Sequence, residues 1–227
     1  MKSLRIPNII QVSLALAATT ICAVASTAIV VPGLYNTGVD NSGTVLPQLS
    51  LEPHYTVSGP ASIAYVVPPV YNASLGWAWE AAPAGSAWIG PNSTANTTSP
   101  DPVGIYHYSL QFDLTGFDVA RLAISGSWMA DNTAELFLNG NYTGFSKDGY
   151  GYKYLDEFTL NAGFLPGLNS LEFRVLNEDI GPNPTGLVVA GLTATLVPEP
   201  SSMAILLIGL SSLYPQKTLH PACMTKT

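Results

Sequence analysis

The 227-residue chain is 47% hydrophobic but only 10% charged, with 15 acidic and eight basic side chains and two cysteines. An average soluble domain carries about 25% charged residues, so neutral polar residues must cover most of this surface, which argues against a cytosolic helical protein. The formal charge of −7 also argues against a nucleic-acid-binding protein, because neutralising phosphates requires clustered Lys and Arg.

The first 28 residues have the three parts of a secretory signal peptide. Two basic residues precede an apolar stretch at 12–24, and small residues follow at two cleavage sites, one after Ala25 and one after Ala28. The uncharged stretch is also long enough for an uncleaved membrane anchor, but polar residues interrupt it, which favours cleavage. We therefore expect a signal helix over residues 1–28 and export of the chain.

Residues 29–197 form the predicted body. Its first part contains short apolar pieces among many Gly, Pro, Ser and Asn residues, and these pieces are too few to enclose a core alone. We therefore expect one domain with a loop-rich first half rather than two domains. The body carries 14 acidic and four basic residues, a net charge near −10, and no cysteine, so its own core must stabilise it.

The second half of the body alternates apolar and polar residues with a period of two, the pattern of strands with one buried face. The clearest segments are 105–114, 121–128, 170–175 and 188–196. In the last segment the predicted core face begins with Val188 and Ala190. Asn139-Gly140, between two apolar runs, predicts a tight hairpin turn. No amphipathic helical pattern occurs in the body, so the sequence predicts an all-β antiparallel sandwich.

A proline-rich spacer, Val197-Pro198-Glu199-Pro200-Ser201-Ser202, precedes an apolar segment that predicts a short C-terminal helix. This arrangement resembles the PEP-CTERM sorting signal of bacteria that have an outer membrane. The resemblance implies that an exosortase, a membrane protease-transpeptidase, recognises Pro198, Glu199 and Pro200 during export. It also implies delivery to the cell surface or extracellular matrix, usually alongside exopolysaccharide production.

The end of this predicted sorting tail, residues 198–227, departs from the family pattern. Its apolar run has about 12 residues, fewer than the roughly 20 that span a bilayer. Only Lys217 and Lys226 stand where the family has an Arg/Lys cluster. We therefore expect only transient contact with a membrane, and the sequence leaves open whether the tail is processed.

Several short motifs in the second half of the body occur in an order known from one fold family. They are Phe112-Asp113-Leu114, Ser127-Trp128-Met129-Ala130-Asp131-Asn132, Leu136-Phe137-Leu138-Asn139-Gly140 and Pro166-Gly167-Leu168-Asn169-Ser170-Leu171. This order resembles the galactose-binding-like jelly roll of carbohydrate-binding modules and of sandwich domains in many glycosidases. The resemblance covers about residues 106–196 and implies a jelly-roll body.

The body lacks the motifs of the common hydrolase classes. Its two histidines, His54 and His107, form no His-x-x-His pair, and it has no Gly-x-Ser-x-Gly. A glycosidase needs only two carboxylates, about 5–9.5 Å apart, but scattered acidic residues are expected on an exported surface anyway. We therefore expect a non-catalytic protein, with a glycan-active hydrolase as an alternative.

Aromatic residues are the candidate ligand-binding groups. Tyr150, Tyr152 and Tyr154 follow a Gly-rich loop, and Trp77 and Trp79 are candidates for the same end of the sandwich. Flat rings stack on the C–H faces of sugars, while Asn, Asp and backbone groups bond the hydroxyls. The alternative interpretation is that the tyrosines begin a strand over the edge of the core and that the tryptophans are core residues.

Asp131, followed by Asn132, is the candidate cation site, because Ca²⁺ takes hard oxygen ligands from Asp, Asn and backbone carbonyls. The resemblance to jelly rolls also implies that one structural Ca²⁺ is common in such domains. The alternative is an Asx turn that caps the bend before the next strand. No other cofactor is expected.

These observations predict an exported, non-catalytic protein of the cell surface, outer membrane or extracellular matrix that binds glycan or associates with exopolysaccharide. A structural matrix or surface component without a defined ligand is the alternative. Exosortase is the partner that the tail resemblance implies, and no nucleic acid partner is expected.

Overall fold

The computed structural model describes residues 26–68, 71–72, 77–93, 101–178 and 183–197, with only the backbone given for 71–72 and 77–78. The predicted signal peptide up to residue 25 and the predicted sorting tail, with Pro198, Glu199 and Pro200, lie outside these residues. Among the helices of the described part, none has the length and apolar character needed to cross a membrane.

The described residues form thirteen strands and two single-turn 3₁₀ helices. The strands are β1 (Thr27–Ile29), β2 (Tyr55–Ser58), β3 (Tyr65–Val66), β4 (Tyr71–Asn72), β5 (Trp77–Ala78), β6 (Ile89–Gly90), β7 (Gly104–Asp113), β8 (Leu122–Asp131), β9 (Thr133–Leu138), β10 (Asn141–Lys147), β11 (Asp156–Leu160), β12 (Leu168–Asn177) and β13 (Gly186–Leu196). The helices are η1 (Val119–Arg121) and η2 (Gly151–Lys153).

Eleven of these strands form two antiparallel sheets around a shared core, and β4 and β5 pair separately with each other. One sheet has the order β11-β8-β13-β6-β3, with β1 also paired to β13, and the other has the order β10-β9-β12-β7-β2. The alternation in β7 shows how the sequence builds this arrangement, since Tyr106, Tyr108, Leu110 and Phe112 are at most 1% exposed while the residues between them are less buried. The predicted all-β antiparallel sandwich is confirmed.

Large aromatic rings fill the space between the sheets. The ring centroids of Trp128 and Phe173 lie 5.4 Å apart, and those of Phe158 and Phe173 lie 6.3 Å apart. Fully burying such a ring contributes about 1.5–3 kcal/mol.

The short strands of the loop-rich first half belong to the same sandwich, because β1 and β6 pair with β13 and β2 pairs with β7.

The predicted core face of the last strand is wrong at the start of β13. Leu187 and Val189 join the sandwich core there, whereas Val188 is buried on the opposite face of the sheet. The register with β8 shifts between Ala190 and Thr193, around Gly191, whose φ is 62°. A bulge of this kind exchanges the residues that face the core with those that face away from it. The predicted core face is therefore correct only for the residues after the bulge.

The hairpin prediction is confirmed. Asn139 and Gly140 have φ values of 51° and 78° and connect β9 to β10. Both values lie in the left-handed region that a type I′ turn requires, which is why Asn-Gly is favoured at this position.

β1 lies across the predicted boundary at residue 28. Thr27, Ala28 and Ile29 pair with the last residues of β13. Cleavage after Ala25 leaves this strand whole, whereas cleavage after Ala28 removes two of its three residues. The first predicted cleavage site thus lies before β1 and the second within it.

Candidate functional site

Most of the predicted site residues lie at one end of the sandwich, which we call the Asp131 end. β8 ends at Asp131, which pairs with Gly186 at the start of β13. β12 ends at Asn177, opposite Gly104 at the start of β7. The connection from β10 to β11, which contains the three predicted tyrosines, packs through η2 against β8 at this end.

A second, smaller core covers the outer face of the six-stranded sheet here. Its buried members are Val67, Trp79, Trp88, Met129, Tyr152 and Val188. The rings of Trp79 and Trp88 lie 4.3 Å apart, and Trp79 is 4% exposed. Tyr152 is 8% exposed. The structure thus places Trp79 in a core, as the alternative interpretation of the tryptophans expected, while Trp77 lies in β5 two residues before it. Tyr152 joins the same core from η2, not from the start of a strand as the alternative for the tyrosines expected.

Tyr150 and Tyr154 lie on either side of the buried Tyr152 and are exposed. Their exposed fractions are 59% and 58%, and the ring centroids of Tyr150 and Tyr152 are 6.3 Å apart. We call residues 148–155 the tyrosine turn. The turn presents two exposed rings above one ring that is fixed in the core.

Hydrogen bonds fix the backbone of the tyrosine turn. The Asp148 carboxylate accepts from the Tyr150 N–H at 2.9 Å, and the Asp148 carbonyl accepts from the Gly151 N–H at 3.0 Å. The Lys153 N–H donates to the Tyr150 carbonyl at 2.9 Å. A Cβ at Gly151 would lie 2.9 Å from the Ala130 carbonyl oxygen, so only glycine permits this close approach. The exposed rings therefore stand on a rigid base.

Lys147, which no sequence motif marked as a site residue, holds the end of the turn in place. Its Nζ donates to the Tyr154 carbonyl at 2.7 Å and to Asp156 Oδ2 at 2.5 Å, and it lies 5.5 Å from the Trp128 ring centroid. Its side chain is 2% exposed, and this burial lowers the pKa of Lys147. A register shift in β10 interrupts the alternation there, so no local pattern placed this lysine inside.

Lys153 lies within the tyrosine motif but was not among the site residues predicted from the sequence. Its Nζ is 5.1 Å from the Tyr150 ring centroid and 5.5 Å from that of Tyr152. A cation at this distance is attracted to the faces of both rings. The lysine thus adds a hydrogen-bond donor beside the exposed ring.

Asp131 lies directly beneath this region and is 2% exposed. Its Oδ2 accepts from Trp79 Nε1 at 2.7 Å, its Oδ1 accepts from Asn132 Nδ2 at 2.7 Å, and its carbonyl accepts from the Thr185 hydroxyl. Burial outweighs these bonds and raises the pKa of Asp131 to about 7. Asp131 thus bonds side chains rather than the backbone N–H that an Asx turn would use.

The groups around the Asp131 carboxylate are hydrogen-bond donors, so the site as it stands does not fit a cation. Both carboxylate oxygens of Asp131 already have donors, and a calcium ion would have to replace them. In the described part of the chain, no group of three or more His, Cys, Asp or Glu residues is placed to hold a metal.

Asp101 is a second buried carboxylate at this end and is 7% exposed. Its Oδ2 accepts from the Thr185 N–H at 2.9 Å, and burial raises its pKa to about 6. Asn177 Nδ2 donates to the Asp101 carbonyl at 3.0 Å, and Asn183 Nδ2 donates to Asn177 Oδ1 at 2.8 Å. These polar groups satisfy one another, so the network fixes the strand ends to each other.

The two histidines have separate surroundings. His107 faces outward from β7, with a side chain 34% exposed and Nδ1 3.4 Å from Glu172 Oε1. The His54 ring stacks on Tyr35 with centroids 3.7 Å apart. In the described part of the chain, neither histidine hydrogen-bonds to a serine, threonine or cysteine side chain.

No protein-family model matches the chain, and no curated protein matches it. Among solved structures, the β-glucosidase of Kluyveromyces marxianus in complex with glucose is similar at 8% identity and a TM-score of 0.29, covering 81% of this chain and 20% of that one. A family 35 carbohydrate-binding module from Clostridium thermocellum is similar at 13% identity and a TM-score of 0.28, covering 62% and 90%.

A GH31 α-xylosidase from Xanthomonas citri is similar at 12% identity and a TM-score of 0.23, covering 79% of this chain and 26% of that one. The chain therefore spans about a fifth to a quarter of the two enzymes. At these TM-scores the likeness assigns neither a ligand nor an activity, and the sandwich assignment rests on the strand pairing of this chain.

Proposed function

We propose that the protein is an exported, non-catalytic component of the cell surface or extracellular matrix that binds neutral glycans through the tyrosine turn. The observation that carries the proposal is the exposure of Tyr150 and Tyr154 on a turn whose middle residue, Tyr152, is buried. Rings in this arrangement offer flat apolar faces to the C–H faces of a sugar.

The rigidity of the turn supports binding. A ligand that meets a preformed surface pays less ordering entropy than one that must order a loop. Tyrosine adds to this, because its large ring has only two rotatable side-chain bonds. Lys153 and the backbone of the turn supply polar groups for sugar hydroxyls beside the rings.

Charge favours a neutral glycan over an anionic one. The body has a net charge near −10, and Asp148, Asp156 and Glu157 lie in or beside the turn. Lys147 is buried against Asp156, which leaves Lys153 to face the ligand. A polyuronate would therefore meet net repulsion at this surface.

The buried carboxylates support a non-catalytic role. Asp101 and Asp131 are the described acids whose pKa values rise to about 6 and about 7, the range of a general acid. Both are almost fully buried and bonded to protein donors. A sugar could not reach these carboxylates without disrupting the strand ends, so we assign both of them a structural role.

Titration calorimetry of the full-length chain tests the proposal. The probes are cellohexaose, which is extended, maltohexaose, which is curved, and hexagalacturonate, which is anionic. We expect saturable binding of at least one neutral hexasaccharide, at least tenfold tighter than that of hexagalacturonate. Absence of saturable binding to both neutral probes would refute the proposal and favour the structural matrix component.

Export and sorting form a separate part of the proposal, supported by the signal-like start, the Pro198-Glu199-Pro200 tail and the position of β1. Mass spectrometry of the protein recovered from its producing cells tests it. We expect a mature start at Ser26 and a C-terminus within the tail. A chain that still ends at Thr227 would contradict processing by an exosortase.

A further inference from the structure

A cleft of about 300 Å³ opens on one side of the sandwich, between β10 and β11. Each of these strands is the last of its sheet in the strand order of the described residues. The cleft thus lies where the free edges of the two sheets face each other. Its lining includes Asn141, Tyr142, Thr143, Thr159, Asn161 and Gly163.

The chemistry of this lining is neutral and suited to hydroxyl groups. None of the residues that line the cleft is charged; two leucines and the rings of Tyr142 and Phe145 make its walls mostly apolar, and two asparagine amides and two threonine hydroxyls lie among them. Binding pockets for small molecules combine apolar walls with a few polar groups in this way. Their volumes run from about 300 to 1,000 Å³, so this cleft suits one small ring.

The walls of the cleft are fixed by hydrogen bonds within the protein. Thr143 Oγ1 donates to the Leu136 carbonyl at 2.7 Å, which holds the irregular part of β10 against β9. On the opposite rim, Asn139 Nδ2 donates to the Gly163 carbonyl at 2.9 Å. The cleft is therefore preformed, as is the tyrosine turn.

The cleft and the tyrosine turn lie along the same side of the molecule. β10 runs from the cleft to Lys147, and β11 runs from Asp156 back to the cleft. Lys147 joins the two strands where the turn begins and ends, through its bonds to Tyr154 and Asp156. The five residues of β11 separate the two places by roughly 16 Å.

We propose that the cleft is a second sugar-binding subsite for the glycan chain that binds at the tyrosine turn. The chain runs along β11, with one sugar ring in the cleft and others against Tyr150 and Tyr154. This inference rests on the proposed glycan binding. It adds that the protein recognises an internal stretch of several sugar units within a longer glycan chain. A disaccharide can occupy only one of the two places, whereas a hexasaccharide reaches both.

Titration calorimetry with the full-length chain tests this mode, using cellobiose against cellohexaose and maltose against maltohexaose. In the wild type we expect the preferred hexasaccharide to bind at least tenfold more tightly than its disaccharide, because the second contact becomes intramolecular. Ala162→Trp fills the cleft from an exposed position on its lining and should reduce this ratio below threefold. Ala84→Trp, at an exposed turn outside the cleft lining, is the matched control and should keep the wild-type ratio.

Asn161→Ala provides a second test that adds no bulk. Asn161 is exposed on the cleft rim, and its loss should weaken hexasaccharide binding three- to tenfold while disaccharide binding at the turn stays within twofold. If the wild type binds disaccharide and hexasaccharide equally well, the second subsite is overturned and the proposed function stays intact. The same follows if Ala162→Trp and Asn161→Ala both keep the wild-type ratio of hexasaccharide affinity to disaccharide affinity. Absence of saturable binding by all four sugars would overturn both.

Discussion

Replacing Asp131 with asparagine is expected to remove much of the pH dependence of the protein's stability. The carboxylate is 2% exposed at the end of β8, and desolvation raises its pKa from an ordinary 3.8 to about 7. Between these two values the folded state binds a proton that the unfolded state has released. The free energy of unfolding of the wild type should therefore fall as the pH rises from about 4 to about 7.

The size of the effect follows from the pKa values. Each pKa unit corresponds to about 1.4 kcal/mol, so Asp131 should destabilise the fold by about 4 kcal/mol at neutral pH relative to pH 4. Asp131→Asn abolishes this contribution but has one acceptor oxygen for two donors, Trp79 Nε1 and Asn132 Nδ2. Losing one of these bonds costs about 1 kcal/mol at every pH. The variant should thus be less stable than the wild type at pH 4 and more stable at pH 8.

Urea unfolding from pH 4 to pH 8 measures both curves. Glu157→Gln is the matched control, because it neutralises an exposed carboxylate on β11 and should give a curve parallel to that of the wild type. Parallel curves for the wild type and Asp131→Asn, with no crossing between pH 4 and pH 8, would refute the assignment of a buried, proton-binding carboxyl at this end.

Three further changes test how the site is held in place. Trp79→Phe should lower the free energy of unfolding in urea by about 1–3 kcal/mol, because it removes a buried donor to Asp131, and an unchanged value would contradict that bond. Gly186→Ala should cost about 1–3 kcal/mol and lower the melting temperature, since its Cβ would lie 2.6 Å from the Trp79 ring, and wild-type melting would contradict this packing. Lys147→Met should weaken binding of the preferred hexasaccharide several-fold in calorimetry, because Tyr154 loses its anchor, whereas wild-type affinity would show that the anchor is dispensable.

The strands that sequence predicted well are those whose alternation is uninterrupted. β7 buries every second residue from Tyr106 to Phe112, and β12 does so from Asn169 to Asn177, so a local pattern was sufficient to define their core faces. β13 differs because its bulge at Gly191 changes the phase within the strand. A bulge depends on the pairing with β8, which local alternation does not contain.

The tyrosine motif shows a similar limit. Alternation would put Tyr150, Tyr152 and Tyr154 on one face of a strand, but η2 turns the chain and buries only Tyr152. The bond between Trp79 and Asp131 joins residues 52 positions apart, and no local pattern pairs them. The residue types of the site could be predicted from the sequence, whereas their division into exposed and buried groups depended on tertiary contacts.

The affinity of the double variant Tyr150→Ala/Tyr154→Ala for cellohexaose and maltohexaose tests the central claim most directly. Each exposed ring should contribute about 1 kcal/mol, so we expect the double variant to bind the preferred sugar at least tenfold more weakly than the wild type. Leu51→Ala, which truncates a 62% exposed side chain beside β3, at the edge of the six-stranded sheet farthest from β11, should bind as the wild type does. A double variant with wild-type affinity would contradict glycan binding at the tyrosine turn.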